Sequence, residues 1–390
     1  MSSLLSITSV LTYVGYIFIA ILVLLFMVLI HELGHYTAGK LLKFKINEFS
    51  VGFGPKILQK TRKNGELISL RAFPLGGYCA FEGENEDGKE SPEAFNNQKP
   101  WKRLIVLFSG AFFNFLSAIV FSFILLLCNG YDLVQVDKIS RSSINYEYLQ
   151  TGDVIYGVDG EKIDFVNDKY LSNLITSNLK ENYATYSGSD ITLEDNSFVE
   201  DEKTYYMVEC NLILNIIRDD EKIEETAKFN VIYDSNGKYA GWSMLSRNDA
   251  NENEFTIKNY KYSFGESLLQ AVPFTCKWAW KVLVIFGQLI TGQLSITSLG
   301  GPVTTINMIA STTQANASYL LILLPVIAVN LAVFNLLPIP ALDGFQMIFV
   351  GIEWIRKKPV KREVVNLINN IGLITLLGLV IVVDILQFIM

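Results

Sequence analysis

Only two of the 390 residues are histidines, His31 and His35, and both fall in one pentapeptide. Charge is scarce too: Asp, Glu, Lys and Arg make up 18% of the chain, against roughly 25% in an average soluble domain. The shortage is local. Residues 1–30, 104–128 and 282–342 carry no charged side chain. At the overall rate the last stretch alone would hold about eleven. Gaps of that length exclude an ordinary soluble enzyme and point to a polytopic α-helical membrane protein. The net charge of −7 excludes a general nucleic-acid binder, which needs a basic footprint. The four cysteines, Cys79, Cys128, Cys210 and Cys276, form no C-x-x-C pair and read as small buried hydrophobes.

The uncharged runs predict four transmembrane helices, at about residues 11–35, 104–128, 319–338 and 364–385. About 20 apolar residues suffice to cross a hydrocarbon core of about 30 Å. A cleaved signal peptide is the rival reading of the first run. No Lys or Arg precedes that run and no small-x-small site follows it, which disfavours cleavage. Residues 267–291 are fairly apolar but carry Lys277 and Lys281 among Trp278 and Trp280. Each buried lysine would cost about 2.5–3.5 kcal/mol in a bilayer, so an amphipathic interfacial helix is expected there.

Charge also divides the connecting segments. Residues 40–103 hold 12 basic and 8 acidic residues, and residues 344–363 hold 5 and 2. Residues 129–260 hold 12 basic and 25 acidic residues. Basic residues beside spans mark the cytoplasmic face. Both short loops are therefore expected inside, with the acidic segment and both chain ends outside. Three regions follow: a first membrane half over residues 1–128, an extracytoplasmic domain over 129–262, and a second membrane half over 263–390.

Within the first loop, residues 66–83 read as two short strands around a turn-rich centre at Pro74–Gly77. In the outer segment, residues 149–160 read as turn, strand and turn, and residues 211–218 and 228–233 as strands. A polar stretch near residues 183–203 is the one tract expected to be disordered.

His31-Glu32-Leu33-Gly34-His35 is an H-E-x-x-H sequence at the end of the first span. On a helix, positions i and i+4 share a face, so both imidazoles can bind one zinc ion. Glu32 beside them can take a proton from the metal-bound water. Zinc also needs a third protein ligand, and with no further histidine it must be a carboxylate or a cysteine. Asp343 is the only acidic residue between Glu266 and Glu353. It follows Pro338 and Pro340, where a helix cannot continue. If residues 267–291 do not cross, the first and third spans run in the same direction. His35 and Asp343 then reach the same face. Asn335 reads equally as an interhelical hydrogen-bonding residue or as a donor to a developing oxyanion. Asn114 shares that ambiguity, with close packing at Gly110 the simpler explanation.

These motifs resemble the site-2 proteases, zinc intramembrane metalloproteases of the bacterial RseP type. The likeness runs through H-E-L-G-H, Gly52-Phe53-Gly54-Pro55, Gly76-Gly77-Tyr78, Ser109-Gly110-x-x-x-Asn114, Gly300-Gly301-Pro302-Val303 and N-L-L-P-I-P-A-L-D-G ending at Gly344. It implies that His31, His35 and Asp343 bind zinc, Glu32 is the general base and Asn335 assists at the substrate. A PDZ-like α+β outer domain is implied as well. Phe345 stands where the family usually has a second glycine, and the outer segment lacks the usual Pro-Ala…Ala-Gly stretch. The expectation is a zinc-dependent intramembrane endopeptidase acting on single-span membrane proteins, such as anti-sigma factors or signal-peptide remnants. Another protease would cut these substrates first. The hairpin, with Gly76, Gly77 and Tyr78, would offer the substrate a strand edge inside the bilayer environment. A membrane-anchored binding protein with a structural metal would need a fourth protein ligand, and none is found. A transporter would be expected to show paired inverted segments, and none is visible.

Overall fold

The computed structural model describes residues 7–84, 91–131, 133–164, 167, 169–183, 197–200, 203–244, 255–295 and 300–389. The polar stretch at residues 184–196 lies outside them. The chain divides into two compact units, Met1–Ile124 with Leu268–Met390, and Leu125–Ser267.

The first unit is a helical bundle with a β-hairpin. Helix α1 (Ile7–Leu41) has no proline in its long apolar run and extends about 52 Å. Leu11, Phe18 and Phe26 on its outer face are more than half exposed, whereas Ala20 and Met27 are fully buried. Apolar side chains facing out and small ones facing in suit a lipid solvent. Helix α2 (Pro100–Cys128) opens on a proline, whose fixed φ and missing N–H suit a first helical turn. Helix α6 (Leu320–Leu336) stops just before Pro338, and the chain unwinds through Pro340 until α7 (Asp343–Arg356) begins. Within that segment Ala341 adopts φ +76°. Helix α8 (Arg362–Ile389) completes the chain.

Among the described residues five helices are long and apolar enough to cross a membrane: α1, α2, α6, α8 and α4 (Phe264–Ile290). The last covers the segment expected to lie flat at the interface. One of its faces is built into the bundle instead. Thr275 and Ser122 on α2 share a hydrogen bond of 2.9 Å, and Val282 packs in one cluster with Ala20, Met27 and Ala118. The opposite face leaves Lys277 and Trp280 exposed. The amphipathic pattern was legible, but its partner is protein on one side. A further helix absent from the sequence expectations, α5 (Pro302–Ala315), follows Gly301. Its first backbone N–H groups, at Val303 and Thr304, donate to the Asp384 carboxylate on α8, where a negative charge complements the helix dipole.

The hairpin is longer than residues 66–83 and turns elsewhere. Strands β1 (Ile46–Thr61) and β2 (Leu67–Phe81) are joined at residues 62–66, where Gly65 takes φ +84°. Pro74–Gly77, expected as the turn, lies inside β2. Sequence alone saw only the turn-forming residues; pairing over a longer range fixed the register. Residues 48–51 pair with 67–70 on one side and with 77–80 on the other. Among the described residues, 77–80 have β partners only in residues 48–51 and so form an edge.

The second unit is an antiparallel sheet of order β10-β3-β4-β7-β8-β9, with β5 beside β4 and β6 beside β7. The strands are β3 (Val134–Ile139), β4 (Val154–Val158), β5 (Glu161–Lys162), β6 (Ser197–Glu200), β7 (Lys203–Arg218), β8 (Glu221–Tyr233), β9 (Tyr239–Ser243) and β10 (Phe255–Asn259). Helix α3 (Leu171–Asn182) places Leu174, Ile175 and Leu179 against the sheet residues Ile155, Leu214 and Phe229. The strand expected within residues 149–160 is β4, and those expected at 211–218 and 228–233 fall inside β7 and β8. Asp159 and Gly160 both take positive φ in the β4–β5 turn, as a two-residue hairpin requires. Arg218 clamps Asp153 through Nε at 2.8 Å and Nη2 at 2.7 Å.

Candidate metal and active site

H-E-x-x-H lies in the last third of α1, and helical spacing puts His31 and His35 one above the other, with ring centroids 4.7 Å apart. Asp343, the first residue of α7, completes a triangle. His31 Nε2 and His35 Nε2 are 3.1 Å apart, and Asp343 Oδ2 lies 3.0 and 3.3 Å from them. Tetrahedral zinc with ligand distances of about 2.0–2.1 Å would separate its ligands by roughly 3.3 Å, so the three atoms fit such an ion. Both imidazoles are 92% buried, being 8% exposed. Two ring nitrogens and a carboxylate oxygen converging in a buried space are a donor set that asks for a cation. Among the described residues this is the group of His, Cys, Asp and Glu placed to hold a metal ion.

Helix α2 supports the triangle from behind. His35 Nδ1 donates to the Val106 carbonyl at 2.8 Å, which leaves Nε2 with its lone pair toward the site. One turn on, a Cβ at Gly110 would run into both imidazole rings. Reciprocally, a Cβ at Gly34 would strike the Ser109 carbonyl. These two glycines let the helices approach closely enough for Val106 to reach His35. On the other flank Glu353 of α7 accepts from Arg103 of α2 at 2.6 Å and from the Val360 N–H at 3.0 Å. This fixes the helix that carries Asp343.

A cavity of about 380 Å³ opens onto the triangle and is lined by Glu32, Tyr78, Cys79, Asn114 and Asn335 besides the three presumptive ligands. Glu32 stands next to the edge row of the hairpin: a Cβ at Gly77 would lie 3.6 Å from its Cγ, and Cys79 lines the same cavity. The hydrogen bond of Asn335 among the described residues stays within its own helix: its Nδ2 donates to the Leu331 carbonyl one turn back, at 2.9 Å. Tyr78 stacks on Phe53, with centroids 6.2 Å apart. Gly76 takes φ +147° beside the Phe53 ring and is not among the lining residues.

Sequence alone left one part of the site ambiguous and missed another. Asn114, fully buried, reaches His31, and Glu84 lines the cavity from the end of the hairpin. The spacing of Val106, Gly110 and Asn114 by four could have flagged the first as one helix face. No pattern marks Glu84.

A family model described as "Peptidase family M50" matches residues 19–379. A protein of Clostridium perfringens named "Putative zinc metalloprotease" is 28% identical over 376 residues, which cover 95% of this chain and 97% of that protein. One of the same name from Nostoc is 30% identical over 370 residues, 92% of each chain. The "Regulator of sigma E protease" of Haemophilus influenzae is 24% identical over 431 aligned positions, covering 94% and 96%.

Proposed function

Because the chain belongs to peptidase family M50, the site-2 proteases, we propose that it cuts single-span membrane proteins within or beside the bilayer, at the site formed by His31, Glu32, His35 and Asp343. The protein is a zinc metalloendopeptidase and a multi-pass membrane protein. The observation that carries the assignment of residues is the triangle of His31 Nε2, His35 Nε2 and Asp343 Oδ2, with sides of 3.0 to 3.3 Å.

Zinc in that triangle supplies Lewis acidity, which makes water a nucleophile near neutral pH and polarises a scissile carbonyl. Glu32 takes the proton of the attacking water and delivers it to the departing nitrogen. Asn335 offers an amide donor to the carbonyl oxygen as negative charge develops there. A helical substrate hides its peptide bonds in its own hydrogen bonds. The edge formed by residues 77–80, with Gly77 and Tyr78, would hold the unwound segment extended by strand addition, and Gly76 would let the edge bend. That edge adjoins Glu32, which favours this reading.

In this reading α1, α2, α6 and α8 cross the membrane and α4 is a bundle helix that does not complete a crossing. The active site faces the cytoplasm, both termini and the acidic β unit lie outside, and that unit is PDZ-like. Anti-sigma factors or signal-peptide remnants, shortened beforehand by another protease, are the substrate class. The name of the Haemophilus relative agrees with the first of these. The domain limits are 1–128, 129–262 and 263–390. The test is co-expression profiling of membranes holding the wild-type or the Glu32→Gln protein. Fragments of single-span proteins should persist only with the variant; identical profiles would refute the proposal.

A further inference from the structure

Asn114 is a polar residue of α2 that lines the cavity and that the reaction above leaves unused. It is fully buried, and its Oδ1 is a buried oxygen with no hydrogen-bond partner. Its Nδ2 lies 3.5 Å from His31 Nδ1. With the amide in that orientation, Nδ1 of His31 must act as the acceptor, so the ring proton sits on Nε2. Nε2, however, is the atom that points at His35 and Asp343, where a proton would block a metal.

Rotating the carboxamide by half a turn exchanges oxygen and nitrogen without moving another atom, and the two are nearly indistinguishable in shape. The oxygen then accepts from Nδ1–H of His31, and the lone pair of Nε2 is turned to the metal. The NH2 group is left toward the cavity that Asn114 lines. His35 already has the equivalent arrangement, donating from Nδ1 to the Val106 carbonyl. Val106, Gly110 and Asn114 are spaced by four on one helix face. One stripe of α2 therefore meets both histidines: a main-chain carbonyl for one, an empty space where both rings fit, and a side-chain carbonyl for the other.

We propose that Asn114 is a positioning residue of the metal centre, whose side-chain carbonyl accepts the Nδ1 proton of His31 and so presents the Nε2 lone pair to zinc. This rests on the metal site proposed above. Loss of such a partner commonly weakens metal binding by about 10–100-fold.

The test uses the full chain in detergent, stripped of metal and titrated with zinc against a chromophoric chelator. Asn114→Leu keeps the volume and removes the acceptor; Asn114→Asp keeps an acceptor oxygen. The expected result is zinc affinity about 10–100-fold lower for Asn114→Leu and within about 3-fold of wild type for Asn114→Asp. A purely structural role gives the opposite order, because a buried carboxylate is worse tolerated than leucine. The melting temperature of each metal-free variant separates binding from folding, and Asn114→Ala stands in if Asn114→Leu does not fold. Wild-type affinity in Asn114→Leu or Asn114→Ala, or equal losses in Asp and Leu, would overturn the proposal. A wild-type chain that takes up no zinc would instead refute the metal site itself.

Discussion

The two units of this protein invert each other's chemistry. In the β unit the buried residues are Leu214, Ile155 and Phe229, and charges such as Lys222 and Glu221 face outward. In the helical unit the outward residues are Leu269 at 74% and Ile374 at 71% exposure, while His31, His35, Asn114, Ser122 and Thr275 are buried. The β unit hides apolar surface from water, which drives its folding directly. The helical unit gains nothing by hiding apolar surface from lipid, so it is held by close packing and polar contacts. A buried cluster of imidazoles and carboxylates is therefore a natural interior for the helical unit and a foreign one for the β unit.

The sharpest way to break the comparison is to add bulk where the helical unit has none. Gly110→Val is expected to displace both imidazoles and abolish bound zinc and cleavage together, read by elemental analysis and a membrane-embedded reporter. Retained zinc would show that the α1–α2 approach is looser than described. Next comes Glu32→Gln, expected to keep zinc at wild-type stoichiometry and lower turnover by about 10²–10⁴-fold. A third pair applies one chemical change to both regions. Leu214→Ala should destabilise the β unit by about 2–5 kcal/mol through the cavity it leaves. Leu269→Ala, which removes an outward side chain, should cost less than about 0.5 kcal/mol. Equal losses in chemical denaturation would erase the distinction.

The smallest effect concerns the hairpin's ionic tether. Burial alone would raise the Glu66 carboxyl, but the Lys40 ammonium, the Asn64 amide and the Tyr36 hydroxyl outweigh it and hold it below the usual carboxylate range. A depressed carboxyl contributes stability that is complete above its unfolded value of about 4.3 and is lost as pH falls through the lower folded value. Amide protection over residues 62–70, taken relative to the intrinsic exchange rate at each pH, should therefore fall below about pH 4 in the wild type. In Glu66→Gln that protection should be lower at every pH and independent of pH, the difference amounting to about 1 kcal/mol or less because Lys40 is a third exposed.

Much of the helical unit was legible because hydrocarbon excludes charge, and that exclusion is written residue by residue along the chain. The spans expected from the uncharged runs overlap α1, α2, α6 and α8, although the run at 282–342 also takes in the end of α4 and all of α5. The pairing of His31 with His35 follows from helical periodicity, and Asp343 stands out as a lone charge. What stayed hidden depends on contacts distant in sequence. Helices α5 and α7 have no uncharged run with charged ends of their own. The turn of the hairpin fell at Gly65 rather than among Pro74–Gly77 because residues 48–51 find two partners at once. In Asn114 the residue type was visible but not its neighbour, since only the fold brings residue 114 to residue 31.

One alanine deserves a last consideration. Ala341 holds φ +76° two residues before Asp343, a conformation that costs about 1–3 kcal/mol for a residue with a Cβ. Glycine would occupy it freely, and would occupy many others as well. Between Pro338 and Pro340 on one side and the start of α7 on the other, the alanine leaves the segment few alternatives. Its ordering is completed when the chain folds, so the Asp343 carboxylate arrives already aimed. The reorganisation that a looser segment would demand at each binding event is thus settled once, during biosynthesis.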